Sequence, residues 1–281
     1  MQLIDHISEP GMPPKNNEDI WGTSKTTAWV FDGATGLAPD TIVADPPMTD
    51  PRWLVEQVQI YLTENADTQT DIQDLYAATL GFCEDQFHKA MKRPVNDPGE
   101  QPCAASLIIK KHADSIICGS LSDCTLIIET PEGFDTMHAC PIHKKVDEEI
   151  IRRAAIEVQK GLPLKEARQK TVPFITSQRR QANQPGGYSV FVPDRTVADK
   201  IRTKIFPYKK GGHALLMSDG FYCAVEDYHL YTDETLLNTV LDKGLSYIYD
   251  QIRNLEEGDP NAQTYPRMKK SDDCTAVLVQ L

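Results

Sequence analysis

The 281-residue sequence predicts an α+β fold built on antiparallel strands. Short apolar runs rich in β-branched and aromatic residues come in groups, and segments with apolar residues at helical spacing are grouped as well. This grouping favours antiparallel sheets over the strict strand–helix alternation of parallel ones. Acidic residues at strand boundaries span the whole length and no low-complexity linker divides them, so we expect a single domain over residues 1–281.

Composition excludes several classes of function. The formal net charge is -12 and the pI about 5.0, which argues against binding to the phosphate backbone of nucleic acids. The seven cysteines are odd in number and lack Cys-x-x-Cys spacing, so we expect reduced, buried thiols rather than disulfides or a zinc ribbon. Because the first residues lack a basic and apolar leader and no run approaches the ~18 apolar residues of a membrane span, we expect a cytoplasmic protein without a membrane partner.

The first 92 residues predict two strands and then two helices. Strands are expected at Leu3–Ser8 and Thr26–Phe31, where short apolar segments end at turns or acids. Asp50 before Pro51 predicts a helix N-cap, and the helix that follows is amphipathic. A second amphipathic helix is expected from about Thr70 to Lys92.

The next segment changes to strand patterning. Three short strands, Cys103–Ile109, Ser115–Ser120 and Cys124–Glu129, predict an antiparallel meander. His138 and His143 follow on a predicted loop or strand end, and their five-residue interval matches no usual metal-ligand pattern. We therefore expect exposed or hydrogen-bonded histidines there.

The second half of the chain mixes helices with single strands. Arg179 and Arg180 are expected on a solvated helix face, although an anionic ligand would be within their reach. The predicted elements are helices at 147–160, 163–182, 196–204 and 233–255, a strand at 188–192, a strand ending at Asp219, and a last strand after Asp272.

Three apolar runs are bounded by aspartate. Trp29–Phe31 runs into Asp32-Gly33, Ala214–Met217 runs into Ser218-Asp219-Gly220, and Asp272 shortly precedes the run Ala276–Val279. Taken alone, Asp-Gly is also a common hairpin turn. If the third strand runs antiparallel to the other two, three carboxylates reach the same edge of one sheet and form a site for a hard cation.

The order of these motifs resembles that of the metal-dependent serine/threonine protein phosphatases of type 2C. The resemblance covers nearly the whole chain, and Gly186-Gly187-Tyr188 and Asp219-Gly220-Phe221-Tyr222 are similar to bacterial members. It implies two antiparallel sheets packed as a sandwich, with helices on both outer faces and a two-metal centre at one edge. The motifs in chain order are Asn17-Glu18-Asp19, Asp32-Gly33, Ser122-Asp123-Cys124, Ser218-Asp219-Gly220 and Ser271-Asp272-Asp273-Cys274-Thr275.

The resemblance also implies the metal ligands. Asp32 matches the bridging carboxylate, and the Gly33 carbonyl matches its companion ligand on one metal. Asp219 and Asp272 match the carboxylates on the other metal. Hard oxygen ligands without His or Cys suit Mn2+ or Mg2+. We therefore expect two such ions.

Three further acids have roles by the same resemblance. Glu18 and Asp19 match acids that act near or through metal-bound water, and Asp123 matches the acid of a weaker third ion. The implied reaction is attack of a metal-activated water on phosphorus, without a covalent phosphoenzyme. The implied substrate is a protein carrying phosphoserine or phosphothreonine, and a small phosphoester remains open.

The sequence departs from the family pattern near the phosphate. Pro14 stands where family members usually carry the arginine that binds the substrate phosphate, and Lys15 offers a point charge one residue along without the guanidinium fork. Ala34 stands where many relatives have a histidine proposed to protonate the leaving group, and Cys124 and Thr125 replace the common Ser and Arg. A binding module of the same fold that has lost catalysis therefore remains an alternative. Phosphatases with an Asp nucleophile need a second Asp at the position of Ala34, which argues against that class.

Overall fold

The computed structural model describes residues 1–38, 40–69 and 71–281. Within these ranges ten strands form two five-stranded sheets in which all paired strands are antiparallel. The strands are β1 (Gln2–Glu9), β2 (Asp19–Thr23), β3 (Thr27–Gly33), β4 (Ala104–His112), β5 (Ser115–Leu121), β6 (Thr125–Thr130), β7 (Gly133–Met137), β8 (Arg202–Pro207), β9 (His213–Met217) and β10 (Cys274–Gln280).

The two sheets are built from interleaved parts of the chain. Sheet A has the order β1-β10-β9-β6-β7, and sheet B has the order β2-β3-β4-β5-β8. The seven helices of the described ranges are α1 (Asp50–Asn65), α2 (Ile72–Ala90), α3 (Pro141–Gln159), α4 (Leu164–Gln181), α5 (Asp219–Glu226), α6 (Asp233–Lys243) and α7 (Leu245–Gly258). None of these helices is long and apolar enough to cross a membrane.

Helices cover the outer face of each sheet. Trp29 and Phe31 of sheet B pack in one apolar cluster with side chains of α1 and α2. Leu215 and Met217 of sheet A pack in a second cluster with side chains of α5, α6 and α7. The predicted sandwich of two antiparallel sheets with helices on both outer faces is therefore confirmed.

Strand β3 shows how the sandwich determines the sequence pattern. Trp29 and Phe31 face the helices, whereas Ala28 and Val30 belong to the apolar cluster between the two sheets. Because side chains alternate along a strand, a strand buried on both faces reads as a continuous apolar run. The same alternation places Asp32 on the side of Val30, toward sheet A.

The predicted three-stranded meander is wrong at its third strand. β4 and β5 pair in sheet B, but β6 pairs with β7 and β9 in sheet A. Leu126 and Ile128 of β6 are buried between the sheets and Ile127 packs under the outer helices, so its two faces match either sheet. Local patterning therefore identified a strand without identifying its neighbours.

The start of α1 also differs from the prediction. Thr49 is the N-cap, and its hydroxyl accepts a hydrogen bond from the Arg52 backbone N–H at 3.3 Å. Asp50 is already helical and buried, and its carboxylate accepts backbone N–H groups from the preceding loop. These donors are Ile42 at 2.6 Å, Val43 at 3.0 Å and Ala44 at 2.9 Å. Asp50 therefore ties the loop to the helix instead of capping it.

The predicted helix 233–255 is two helices. Gly244 ends α6 with a φ of +83°, a conformation that glycine adopts without strain. The backbone N–H of Leu245 then donates to Asp5 Oδ2 at 3.0 Å, which ties the start of α7 to β1. The apolar spacing continues through the break because both helices pack on sheet A.

Three other predicted elements differ from the structure, and a fourth boundary is not described. Helix α3 begins at Pro141 rather than Asp147, because a proline at the first turn needs no backbone donor. The segment 188–192 makes a single bridge, from Phe191 to Ala104, in place of a strand. The segment 196–204 is a 3-10 helix, Arg195–Lys200, followed by β8. The predicted helix start at Thr70 lies outside the described residues, and α2 is capped by Asp71.

Candidate metal centre

A cavity of about 570 Å³ opens where the ends of the central strands meet α3, α4 and α5. Four carboxylates of the sequence motifs are among the residues that line it, together with Gly33. They are Asp32, Asp123, Asp219 and Asp272. The structure therefore brings together acids that are up to 240 residues apart in the chain, as the motifs predicted.

Sheet B contributes two facing carboxylates. Asp19 of β2 lies opposite Asp32 of β3 in the antiparallel register, so both side chains are on the same face. Asp19 is only 2% exposed, and within the described part of the chain neither of its carboxylate oxygens has a hydrogen-bond partner. An orphaned buried carboxylate is costly unless a cation or a proton satisfies it.

Sheet A contributes the opposing acids. Asp219 is the first residue of α5, directly after β9, and Asp272 lies two residues before β10. The prediction of a single sheet edge is therefore wrong, because Asp32 comes from sheet B and the other two acids come from sheet A. The sandwich places them together, since β3 faces β9 and β10 across the inner core.

Gly220 permits the close approach of the two sheet A loops. A Cβ atom at this position would lie 1.9 Å from the backbone oxygen of Asp273. The Asp273 carboxylate in turn accepts the backbone N–H groups of Gly11 at 2.8 Å and Glu18 at 2.7 Å. Asp273 therefore ties the loop before β2 to the start of β10.

Three of the site carboxylates resist ionisation. Desolvation within the cavity raises the pKa of Asp32, and the charges of Asp19 and Asp219 add to this rise. Desolvation together with Asp272 and Asp123 raises the pKa of Asp219, which lies within hydrogen-bond reach of Asp32. Desolvation and then Asp273 raise the pKa of Asp19 to about 7. Like charges without a counter-charge therefore dominate this part of the cavity.

Like Asp19, two further predicted residues lie beside the cavity rather than on its wall. Glu18 is 8% exposed, and its carboxylate accepts hydrogen bonds from the hydroxyls of Thr35 at 3.2 Å and Thr49 at 2.6 Å. Burial raises the Glu18 pKa. Lys15 is exposed in the turn that precedes Glu18 and is not among the described residues that line the cavity.

Other cations line the wall. Lys269 donates to Asp272 Oδ1 at 2.6 Å. Burial opposes the ionisation of Asp272, but the neighbouring Lys269 outweighs it and lowers the Asp272 pKa. Arg168 and Arg179 of α4 also line the cavity, whereas Arg180 forms an ion pair with Asp97 outside it. Arg168 and Arg179 are eleven residues apart, about three helical turns, which places them on one face of α4.

His143 and Asp147 are site residues that the sequence analysis missed. His143 lies on α3 rather than on a loop, and Nδ1 is 3.1 Å from Asp123 Oδ2 and 3.0 Å from Asp147 Oδ2. Burial opposes protonation of His143, but Asp123 and Asp147 outweigh it and raise the His143 pKa to about 9. The i, i+4 spacing from His143 to Asp147 would have indicated this pair had the helix start been placed at Pro141.

The donor set fits hard divalent cations. Asp19, Asp32, Asp219 and Asp272 offer carboxylate oxygens and Gly33 offers a backbone carbonyl, the ligands that Mn2+ and Mg2+ prefer. Cations would satisfy the orphaned oxygens of Asp19 and offset the repulsion that raises the pKa values of Asp32 and Asp219. Without cations, these acids would either be protonated or repel one another.

Comparisons with known proteins agree on the fold. No family model and no curated protein sequence matches the chain. A solved structure of the serine/threonine phosphatase PstP/Ppp of Mycobacterium tuberculosis is 15% identical, with a TM-score of 0.56 over 100% of this chain and 99% of that chain. The serine/threonine phosphatase Stp1 from Staphylococcus aureus is 13% identical, with a TM-score of 0.54 over 100% of this chain and 95% of that chain.

A third structure is the catalytic domain of PstP in complex with two manganese ions. It is 14% identical, with a TM-score of 0.53 over 97% of this chain and 95% of that chain. At such identities the likeness shows the fold. The resemblance that the motifs predicted is therefore confirmed in architecture, and the chain has the fold of bacterial type 2C serine/threonine phosphatases.

Proposed function

We propose that the protein is a metal-dependent phosphomonoesterase that removes phosphate from phosphoserine or phosphothreonine in proteins. The observation that carries this proposal is the meeting of Asp32, Asp219 and Asp272 at one cavity, with Asp19 opposite Asp32 in the strand register. The pKa values of Asp19, Asp32 and Asp219 are all raised by burial and by neighbouring acids. Burying such a cluster of acids destabilises the fold unless cations bind there. The structurally similar PstP domain was determined with two manganese ions, which supports the same use of this cluster.

The proposed metal ligands are Asp32, Asp219, Asp272 and the Gly33 carbonyl, with Asp19 acting directly or through water. Divalent cations of this class supply a Lewis acid for a phosphoryl oxygen and lower the pKa of water. Two ions, Mn2+ or Mg2+, match the number of carboxylates. Glu18 stays fixed by Thr35 and Thr49 at the end of β2, where it holds the backbone that precedes Asp19.

The residues of this chain also provide the phosphate-binding charge. Arg168 and Arg179 present guanidinium groups to the cavity from α4, and Lys269 lies against Asp272. A guanidinium group can donate two hydrogen bonds to the oxygens of one phosphate. Arg168 can therefore bind the substrate phosphate in place of the family arginine, whose position is occupied here by Pro14. Lys15, one residue after Pro14, is the substitute phosphate contact expected from the sequence, on the exposed turn before Glu18.

The wall formed by α3 and α4 suits an extended substrate. Apolar side chains of α3 and α4 also line the cavity, on the same helices that carry the charged groups. These residues are Val146, Ile150, Ile151, Val172 and Ile175. An apolar wall with flanking guanidinium groups accommodates a phosphorylated side chain together with neighbouring peptide residues better than it accommodates a small phosphoester alone.

The proposal is tested by phosphate release. Purified protein is stripped of metal, and Mn2+, Mg2+ or neither is added before assay with an aryl phosphate and a panel of phosphoserine and phosphothreonine peptides. We expect hydrolysis that depends on Mn2+ and falls by at least a hundredfold in Asp219→Asn. An Asp219→Asn protein as active as the wild type would rule the proposal out.

The alternative is a binding protein of the same fold that has lost catalysis. The observations that favour it are Pro14 and Ala34, which remove the usual phosphate-binding and proton-donating groups of the family pattern. Titration calorimetry with Mn2+, run beside the turnover assay, separates the two functions. Tight Mn2+ binding without turnover on any substrate would establish the alternative.

A further inference from the structure

Asp123, His143 and Asp147 form a cluster beside the predicted two-metal centre that combines an imidazole with two carboxylates. One ligand atom from each residue lies within 4.8 Å of the other two. Asp123 comes from the turn between β5 and β6, whereas His143 and Asp147 are one turn apart on α3. The cluster therefore joins the sandwich to the helical wall of the cavity.

The spacing of the ligand atoms matches a coordination shell. His143 Nδ1 lies 3.1 Å from Asp123 Oδ2 and 3.0 Å from Asp147 Oδ2. Two ligands that bind one ion at about 2.1 Å and at right angles lie about 3.0 Å apart. The distances from Nδ1 to the two carboxylates therefore fit those between neighbouring ligands of one octahedral ion.

A salt bridge explains this arrangement less well. A protonated imidazole would direct its Nδ1–H toward one carboxylate oxygen, yet within the described ranges the buried Nδ1 has no partner that meets hydrogen-bond geometry. The imidazole ring packs against Tyr188, with ring centroids 4.5 Å apart, so its orientation is restrained. Nδ1 is nearly equidistant from the two carboxylates, as a ligand to a shared ion would be.

We propose that Asp123, His143 and Asp147 bind a first-row transition-metal cation, a site distinct in its chemistry from the all-oxygen centre formed by Asp32, Asp219 and Asp272. Imidazole nitrogen favours Co2+, Zn2+ or Fe2+ over Mg2+, which keeps oxygen ligands and water. The resemblance associates Asp123 with a weak third ion but supplies neither His143 nor Asp147. The site stands whether or not the protein hydrolyses phosphoesters.

The bound ion would crosslink two parts of the fold. It would join α3 to the turn that carries Asp123, beside Asp219 at the start of α5. Because Val146 and Ile150 lie on the same helix and line the cavity, the ion would restrain one wall of the substrate cavity.

Equilibrium dialysis against Co2+ in the presence of excess Mg2+ tests the site without any phosphoester. Mg2+ occupies the all-oxygen sites, so Co2+ retention reports the imidazole site. We expect wild type to retain one Co2+ more than His143→Ala, with at least a tenfold weaker Co2+ affinity in that variant and in Asp147→Ala. His112→Ala removes an exposed histidine at the end of β4 and should retain Co2+ as wild type does.

Equal Co2+ retention by wild type and a folded His143→Ala protein would overturn the proposal. If circular dichroism shows that His143→Ala does not fold, wild-type crystals grown with Co2+ decide the question. An anomalous peak within about 2.3 Å of His143 Nδ1 would support the site. Peaks confined to the Asp32, Asp219 and Asp272 cluster would overturn it.

Discussion

Asp19 and Asp32 lie directly opposite each other on β2 and β3, with both side chains on the face toward sheet A. Neither lies near a cationic partner in sheet B, and the charge of Asp19 contributes to the raised pKa of Asp32 after desolvation. The metal-free fold therefore maintains a repulsive pair at the end of its central strands. On the proposed metal-binding function, this relationship would make the stability of the protein depend on cations.

Replacing Asp32 should separate stability from metal binding. In EDTA at neutral pH, Asp32→Asn should be more stable than wild type by on the order of 1–2 kcal/mol, because it removes a carboxyl group whose ionisation burial and the neighbouring acids oppose. Mn2+ should raise the melting temperature of wild type and have little effect on the variant. Thermal denaturation with and without Mn2+ measures both, with the exposed Asp199→Asn as the control. Equal Mn2+ stabilisation of Asp32→Asn and wild type would show that Asp32 is no ligand.

Arg168 should contribute more to phosphate binding than Lys15. Arg168 lines the cavity and Lys15 is exposed in a turn outside it, so only the first is placed to meet a phosphate among the acids. With Mn2+ present, Arg168→Ala should weaken competitive inhibition by inorganic phosphate about tenfold, because a charge-assisted pair is lost. Lys15→Ala should change it by less than about twofold. The reverse ranking would return the phosphate contact to the N-terminal turn.

A methyl group at residue 220 should disturb the site. In Gly220→Ala the new Cβ would lie 1.9 Å from the Asp273 backbone oxygen, so the loop before β10 must move. We expect a loss of stability of about 2–4 kcal/mol and weaker Mn2+ binding, measured by urea denaturation and calorimetry. Gly81→Ala is the matched control, because its Cβ would meet no atom within 4 Å on α2. That variant should be about 0.5–1 kcal/mol more stable than wild type.

Asp67 should make folding sensitive to acid. Burial opposes its ionisation, but hydrogen bonds from Thr26, Ser24 and the backbone of Lys25 outweigh this and lower the Asp67 pKa to about 2. A lowered folded pKa stabilises the fold above the unfolded value of about 4, and this stabilisation is lost as the pH falls toward about 2. Because the group is largely exposed, we expect only about 1 kcal/mol.

The measurement for Asp67 is urea denaturation between pH 3 and pH 6. Asp67→Ala should be less stable than wild type at pH 6, and the difference in unfolding free energy should narrow as the pH falls. A difference that stays constant across this range would mean that Asp67 stabilises the fold through packing rather than through its charge.

Much of the fold was predictable because element type is encoded locally. The apolar run before Asp32 predicts a strand, and its alternation accounts for the side on which Asp32 emerges. The stripe of α2 was predicted from helical spacing, and its residues are buried. Gly244 shows the limit, since apolar spacing continued across a glycine that ends one helix and precedes another.

The site was predictable only in part. Asp32, Asp123, Asp219 and Asp272 could be identified because each follows or precedes a strand in a motif with a characteristic order. His143 was not predicted as a site residue, because the helix was expected to begin at Asp147 rather than at Pro141. This prediction placed His143 outside the helix on which it shares a face with Asp147. Arg168 was not predicted as a site residue, because a charged residue on a helix is expected to face solvent. Only the position of α4 in the fold shows that Arg168 lines a cavity.

The sequence by itself determined most of the strands, most of the helices and the positions of the acids along the chain, since periodicity and turn residues act over a few neighbours. Only the tertiary structure decided that Asp32 belongs to one sheet and Asp219 and Asp272 to the other, and that α3 brings His143 beside Asp123. Those relationships depend on strand pairing and packing between segments about 20 to 240 residues apart. The free energy of this pairing and packing depends on the whole fold, so no local sequence pattern predicts it.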